Sequence, residues 1–276
     1  GDASAAMIIP IHEAWDRQPP AGTPVDWSNP VVTALAPTDL WVPDVFGGRN
    51  LVRRAHADIK ASQVSVGPSA HGMSINGTGI TTTSSVSGFE TTAGACNYTG
   101  AAALTMFALL SFSGNQSSDG YEAPIIRTDQ DGTPANAHMA LDVFQGPASY
   151  VIRPLLATSG TTGWTASNDV NVGSPDLNAL YLVVARYAPV IEAGIRVFFA
   201  RAGAHVASAK NGASSASGTV TTNNGSASNM QTHVVGMAFV GAASLKGCLY
   251  YAGISASAIS DDAVRSWAGN PWQIFQ

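Results

Sequence analysis

The stretch Leu245–Phe275 reads LKGCLYYAGISASAISDDAVRSWAGNPWQIF and decides the fold class. Cys248–Ser255 carries a β-strand pattern of aromatic and small apolar residues. A short helix follows. Ser260 is a good N-cap, Asp261 and Asp262 sit where the helix dipole favours negative charge, and Gly269 suits the stop before Asn270-Pro271-Trp272. Val264 and Trp267, three apart, share a face. Barely two turns are marginal alone, so packing must hold them, with Trp267 and Trp272 as anchors. The stretch reads as the closing strand of a sandwich and a plug over one end of it.

Working outward, the chain from about Val45 falls into short apolar runs punctuated by Gly, Ser, Thr, Asn and Asp. The expected strands are Gly72–Asn76, Leu104–Phe112, Pro124–Thr128, Ala137–Phe144, Tyr150–Ala157, Leu180–Tyr187, Ile195–Arg201, His205–Lys210, His233–Val240 and Cys248–Ser255. Leu104–Phe112 and Leu180–Ala185 are apolar on both alternating faces, as central strands covered on both sides require. Turn chemistry separates the runs at Gln130–Pro134, Ile191–Gly194 and Arg201–Gly203. Ser208–Asn229 is a polar loop with one thin edge strand around Thr219–Thr222. Many strands with no helical periodicity between them predict a β-sandwich or barrel.

Met7–Pro43 differs in composition from the rest of the chain. It holds seven of the fifteen prolines and three of the six tryptophans. Such proline density forbids a long helix and favours extended backbone. Trp15, Trp27 and Trp41 would each leave a large apolar surface in water if the segment were free. The segment therefore reads as an arm over residues 7–43, docked on its own domain or on a neighbouring subunit. Residues 44–276 form one domain, and residues 1–6, ahead of Met7, read as a cloning remnant.

Composition narrows the function classes. Charged residues are 11%, far below the usual ~25%, so the polar surface comes from Ser, Thr, Asn, Gln and backbone. Net charge is −5 with no basic cluster beyond Arg53-Arg54, which argues against a nucleic-acid partner. No apolar run approaches the ~20 residues of a membrane-spanning helix, so membrane insertion is not expected. Cys96 and Cys248 are the only cysteines and read as separate buried thiols or, less simply, as one bridge. Separate thiols fit assembly in a reducing cytoplasm.

The ends of the chain carry a family resemblance. Tyr250-Tyr251-Ala252-Gly253-Ile254-Ser255, the acid-capped helix and Asn270-Pro271-Trp272-Gln273-Ile274-Phe275 resemble the C-terminus of concanavalin A-like, laminin-G-like jelly-roll domains encoded by tailed phages and prophages. Pro24-Val25-Asp26-Trp27-Ser28-Asn29-Pro30 resembles their opening. The order of Gly72–Gly79, Leu104–Phe112 and Ile195–Lys210 between these ends is similar too. The resemblance implies an all-β jelly-roll sandwich of two antiparallel sheets, with an extended N-terminal arm and one short C-terminal helix. It further implies a virion component made in a bacterial cytoplasm, such as a capsid decoration, head-fibre or tail-associated protein. Its partners would be other virion proteins, copies of itself as a homo-oligomer, or a cell-surface glycan. A carbohydrate-binding module is the alternative and a degenerate glycoside hydrolase the third reading, since this fold hosts all of these.

Glycan hydrolysis needs two carboxylates about 5–10 Å apart, and the resemblance implies a Glu-x-Asp-x-Glu strand for glycanases of this fold. The four glutamates, Glu13, Glu90, Glu122 and Glu192, lack an acidic residue two positions away, so no catalytic residue is assigned and the chain is expected not to be an enzyme. No cofactor is required. Asp129 and Asp131 have a superficial calcium-loop look, or else cap an ordinary hairpin turn. Sugar recognition needs an aromatic face with amide or carboxylate groups beside it. Trp164, Asn168 and Asp169 offer that set in one polar stretch, the competing reading being a tryptophan folded over the sandwich edge.

Overall fold

Tyr250 and Tyr251 are consecutive, yet both side chains lie on the same side of their strand. In the antiparallel pair of β17 (Lys246–Ser255) with β7 (Leu104–Phe112), Leu249 faces Leu110 and Tyr251 faces Leu109, so Tyr250 is an extra residue. Such a bulge breaks the two-residue alternation. It leaves Leu249, Ala252 and Ile254 in one core and turns both tyrosines into a second.

This arrangement is seen in a computed structural model. It describes residues 17–20, 22–45, 47–59, 64–79, 89–90, 97–115, 122–130, 139–158, 166–167, 169–192, 194–203, 208–211, 219–220, 230–234 and 244–275. One sheet runs β15 (Ser208–Asn211), β14 (Ile195–Arg201), β13 (Leu180–Tyr187), β7 and β17. Beyond β17 the ladder divides. Its first half pairs with β5 (Gly72–Thr78), which carries β4 (Val64–Ser69), and its second half pairs with β1 (Asp39–Asp44). The second sheet runs β16 (Met230–Val234), β8 (Glu122–Gln130), β9 (Met139–Gln145) and β10 (Tyr150–Leu156). The short β11 (Ala166–Ser167) and β12 (Val170–Gly173) both lie on the far side of β10. β2 (Gly47–Asn50), β3 (Ala55–Ile59) and β6 (Phe89–Glu90) carry the ladder from β1 round to β16. Every one of these pairs is antiparallel, as the expected two-sheet sandwich requires.

The inner core lies between the sheets. Leu104, Met106, Ala108, Leu110 and Phe112 of β7 enter it, as do Tyr181, Val183, Ala185 and Tyr187 of β13, against Leu141, Val143 and Ile152 of the second sheet. The alternate residues Phe107, Leu109, Leu182 and Val184 enter an outer core. There they meet α1 (Pro30–Leu35), α2 (Asp261–Gly269), Trp272 and Ile274. Two covered faces explain two-sided apolar strands. Gln145 ties the sheets together: its amide nitrogen donates to the carbonyls of Gly114 and Lys246, and its oxygen accepts from Lys246 N, at 2.8–2.9 Å.

The helix α2 forms as its sequence dictates. Ser260 Oγ accepts from Ala263 N at 3.2 Å. Trp267 stacks on Tyr251 with ring centroids 6.1 Å apart and meets Phe107 edge-on at 5.0 Å. Trp267 Nε1 and the Tyr251 hydroxyl both donate to the Pro271 carbonyl, at 3.2 and 2.7 Å. Asp261 also takes ion pairs at 2.9 Å from Arg186 and Arg196, so its charge locks the helix to β13 and β14 as well as favouring its dipole.

The arm is more structured than its prolines suggest. Asn29 Oδ1 accepts from Val31 N at 2.8 Å and Pro30 opens α1 at a position where a missing N–H costs nothing. Asp39–Asp44 is β1. Trp41 pairs there with Ala252 and is 1% exposed within the inner core. The expectation that Trp41 could dock on a partner is therefore corrected: strand pairing points its ring into its own sandwich. Trp27 is 55% exposed in the turn before α1, and Trp15 lies outside the described residues. Asp39 accepts from the Tyr98 hydroxyl and the Asn50 amide, and pairs with Arg53 Nε at 2.9 Å. Burial raises its carboxyl above the usual carboxylate range, against the pull of Tyr98 and Arg53. Cys248 is a free thiol, and Cys96 lies outside the described residues.

Candidate functional site

On β8, a bulge between Pro124 and Ile126 turns both Ile125 and Ile126 inward. Arg127 then faces away from the inner core. On β9, Leu141 and Val143 point inward, so Asp142 and Phe144 share the outward face with Arg127. On β10, Arg153 lies opposite Asp142 and Val151 opposite Phe144. On β12, Asn171 lies opposite Val151, and Asp169 immediately precedes that strand.

Four charges of alternating sign thus cross the outer face of the second sheet. Arg127 Nη2 donates to Asp142 Oδ2 at 2.6 Å, and this pair is 1% and 0% exposed. Arg153 donates through Nε and Nη2 to the two oxygens of Asp169, at 2.7 and 2.6 Å, in a bidentate fork. This outer pair is 28% and 47% exposed. The Arg153 guanidinium also lies 4.3 Å from the centre of the half-buried Phe144 ring. Beside them Asn171 donates to Ser149 Oγ at 3.2 Å and accepts from Gly173 N at 2.8 Å. The buried pair fixes the middle of the face, and the exposed part offers an aromatic ring, a guanidinium, a carboxylate and an amide. That combination can contact both a C–H surface and hydroxyls.

Of the residues expected from sequence, Asp169 belongs to this face. Trp164 and Asn168 lie outside the described residues. Asp129 lies near the end of β8, where its backbone pairs with Gln231. Asp131 lies outside the described residues. Among the described residues, no three His, Cys, Asp or Glu side chains gather as a metal centre would need. Sequence reasoning missed Arg127, Asp142, Arg153 and Phe144. The usable signal was a charge embedded in each of three successive apolar runs, at Arg127, Asp142 and Arg153.

No family model and no curated protein sequence matches the chain. Solved structures do. A sialidase of Trypanosoma rangeli, in complex with a difluorinated sialic acid analogue, superposes with a TM-score of 0.53 at 14% identity, over 92% of this chain and 37% of the sialidase. The same enzyme with the inhibitor DANA gives 0.55 at 12% identity, over 86% and 33%. The binding domain of Paraclostridial Mosquitocidal Protein 1 gives 0.51 at 8% identity, over 85% and 52%. The chain spans about a third of the length of the sialidases it matches, and none of these three is a phage protein. The expectation that the chain is not an enzyme is corrected on this finding. A missing Glu-x-Asp-x-Glu pattern bears on one class of glycanase and says nothing of other glycosidases with shared architecture. At these identities and coverages the likeness establishes no activity either. It shows the fold, an all-β sandwich.

Proposed function

We propose that the chain is a carbohydrate-binding attachment module that takes glycan on the exposed half of the outer face of its second sheet. The observation that carries this reading is the Arg153–Asp169 fork lying over Phe144, with Asn171 beside it. A fork held at both ends offers donors and acceptors at fixed spacing, so little rotamer freedom is lost when hydroxyls engage it. Trp164 and Asn168, from the same sequence stretch as Asp169, are proposed to extend this surface. The matched structures support the reading by fold, with a toxin binding domain among them. The setting we propose is a tailed-phage or prophage particle, supported by the likeness of the two chain ends to phage jelly-roll domains. Capsid or tail genes on either side of the coding sequence would test that setting.

A glycan array tests the binding. The unaltered protein should bind at least one glycan class, and Arg153→Ala should weaken it about 10–100-fold, the value of a charge-assisted contact. Trp164→Ala should weaken it as well. Absence of binding by the unaltered protein, or binding by both variants as strong as that of the unaltered protein, overturns the reading.

A further inference from the structure

A second concavity lies on the opposite sheet and is built differently. It has a volume of about 280 Å³ and is lined by His71, Asp176, Leu177, Asn178, Leu180 and Arg201. His71 comes from the turn between β4 and β5, Asp176–Asn178 from the turn before β13, and Arg201 from the end of β14.

The walls are fixed by long-range bonds. Asn178 holds a left-handed backbone, φ 62°, its N–H donates to the Phe112 carbonyl at 2.7 Å, and its own carbonyl lies 2.7 Å from His71 Nε2. The His71 carbonyl in turn accepts from Gln18 N at 2.8 Å, and its ring meets Tyr250 edge-on. Asp176 N donates to the Tyr181 hydroxyl at 2.8 Å. The mouth carries an ion pair, Arg201 Nη1 to Asp176 Oδ2 at 2.5 Å, whose partners are 57% and 67% exposed. An exposed pair of this kind adds little to stability. Leu177 stands beside it, 52% exposed.

The chemistry of the mouth selects a ligand class. One carboxylate beside one guanidinium leaves no net charge, which disfavours a phosphate or sulfate. A single carboxylate is too few oxygen ligands for calcium. The volume falls just below the range of about 300–1,000 Å³ that holds drug-sized ligands, so it suits one ring. A neutral vicinal diol matches the pair: one hydroxyl donates to Asp176, and its neighbour accepts from Arg201. The Leu177 side chain then covers a C–H face of the same ring.

We propose that this pocket is a second carbohydrate site, which takes a single neutral pyranose through a vicinal diol bridging Asp176 and Arg201. It extends the carbohydrate reading of the chain but uses none of the residues of the sheet-face site, so the two succeed or fail separately. The test is saturation-transfer NMR on the full chain with the methyl glycosides of glucose, mannose and galactose, each at about 10 mM, above a millimolar Kd. At least one glycoside should receive saturation. Asp176→Asn and Leu177→Ala, both at exposed positions, should each cut that signal at least threefold, while Arg153→Ala leaves it unchanged. Silence from all three glycosides overturns the proposal, as does a signal untouched by both pocket substitutions or lost equally in Arg153→Ala. Array binding that depends on Arg153 would then still uphold the sheet-face site.

Discussion

Replacing Asp142 by Ala would remove a carboxylate from beside a guanidinium that water does not reach. Arg127 and Asp142 are 1% and 0% exposed and 2.6 Å apart. Breaking such a pair from one side typically costs about 3–5 kcal/mol, because a buried charge loses its counter-charge. We predict a loss in that range for Asp142→Ala, and a similar one for Arg127→Ala. The double replacement Arg127→Met with Asp142→Leu keeps volume and removes both charges, so it should cost far less than either single change. With a urea slope of about 2–3 kcal/mol/M, each single variant moves the unfolding midpoint down by about 1–2.5 M. Tryptophan fluorescence reads this directly. A single-variant loss under about 1 kcal/mol, the value of a solvated pair, would refute the reasoning. So would a double variant whose loss equals the sum of the two singles.

Three further outcomes are expected. Trp267→Ala should cost about 3–5 kcal/mol in urea unfolding, the usual penalty for emptying a buried aromatic site, since the ring contacts Phe107 and Tyr251; a loss under about 1 kcal/mol would show that the plug is dispensable. Asp39 has a carboxyl raised by burial, so the folded state holds its proton to higher pH than the unfolded state. Its contribution is therefore most favourable below the unfolded value near 3.8 and is lost as pH rises through the folded one. The stability of the unaltered protein relative to Asp39→Asn should accordingly fall from acid toward neutral pH, and a relative stability that grows over that interval contradicts the assignment. Finally, burial raises the phenols of Tyr150, Tyr181, Tyr187, Tyr250 and Tyr251 above 10, Tyr251 the furthest. They favour the fold below the unfolded value of about 10, and that contribution is lost as pH rises toward their folded values. Absorbance in the near ultraviolet, where phenolate absorbs, should then rise mainly in one step with alkaline unfolding, not as a gradual titration of the intact fold.

How much of the fold is legible in the sequence depends on what buries each segment. Leu104–Phe112, Leu180–Tyr187 and Ile195–Arg201 have the expected bounds because both of their faces meet apolar layers and the run ends where cover ends. β2, with the sequence GGRN, and β4, with VSVGPS, have no such signal. They are strands because β1 and β5 offer a ladder to complete, a tertiary cause that overrides local preference. Trp41 escapes a sequence reading for a related reason. Proline density over residues 7–43 averages an irregular lead-in with a true strand, and Asp39–Asp44 vanishes into the average. The charges of the sheet face are present in the sequence at Arg127, Asp142 and Arg153. Only strand order reveals that they are neighbours.

The sharing of β7 and β13 between two apolar layers has a kinetic meaning. Neither layer can be stripped away without exposing one whole side of the same two strands. Peeling off α1 and α2 is therefore not a small local event but the start of losing the whole sandwich. Amide protons of Leu104–Phe112 and Leu180–Tyr187 should consequently be the slowest in the chain to exchange with heavy water, each waiting for the molecule to open as a unit. Those of the short β11 and β12, on the far side of β10, escape through openings of their own. The protein thus joins a slow-breathing spine to a fast-breathing border, and the proposed sheet-face contacts at Asp169 and Asn171 belong to the border.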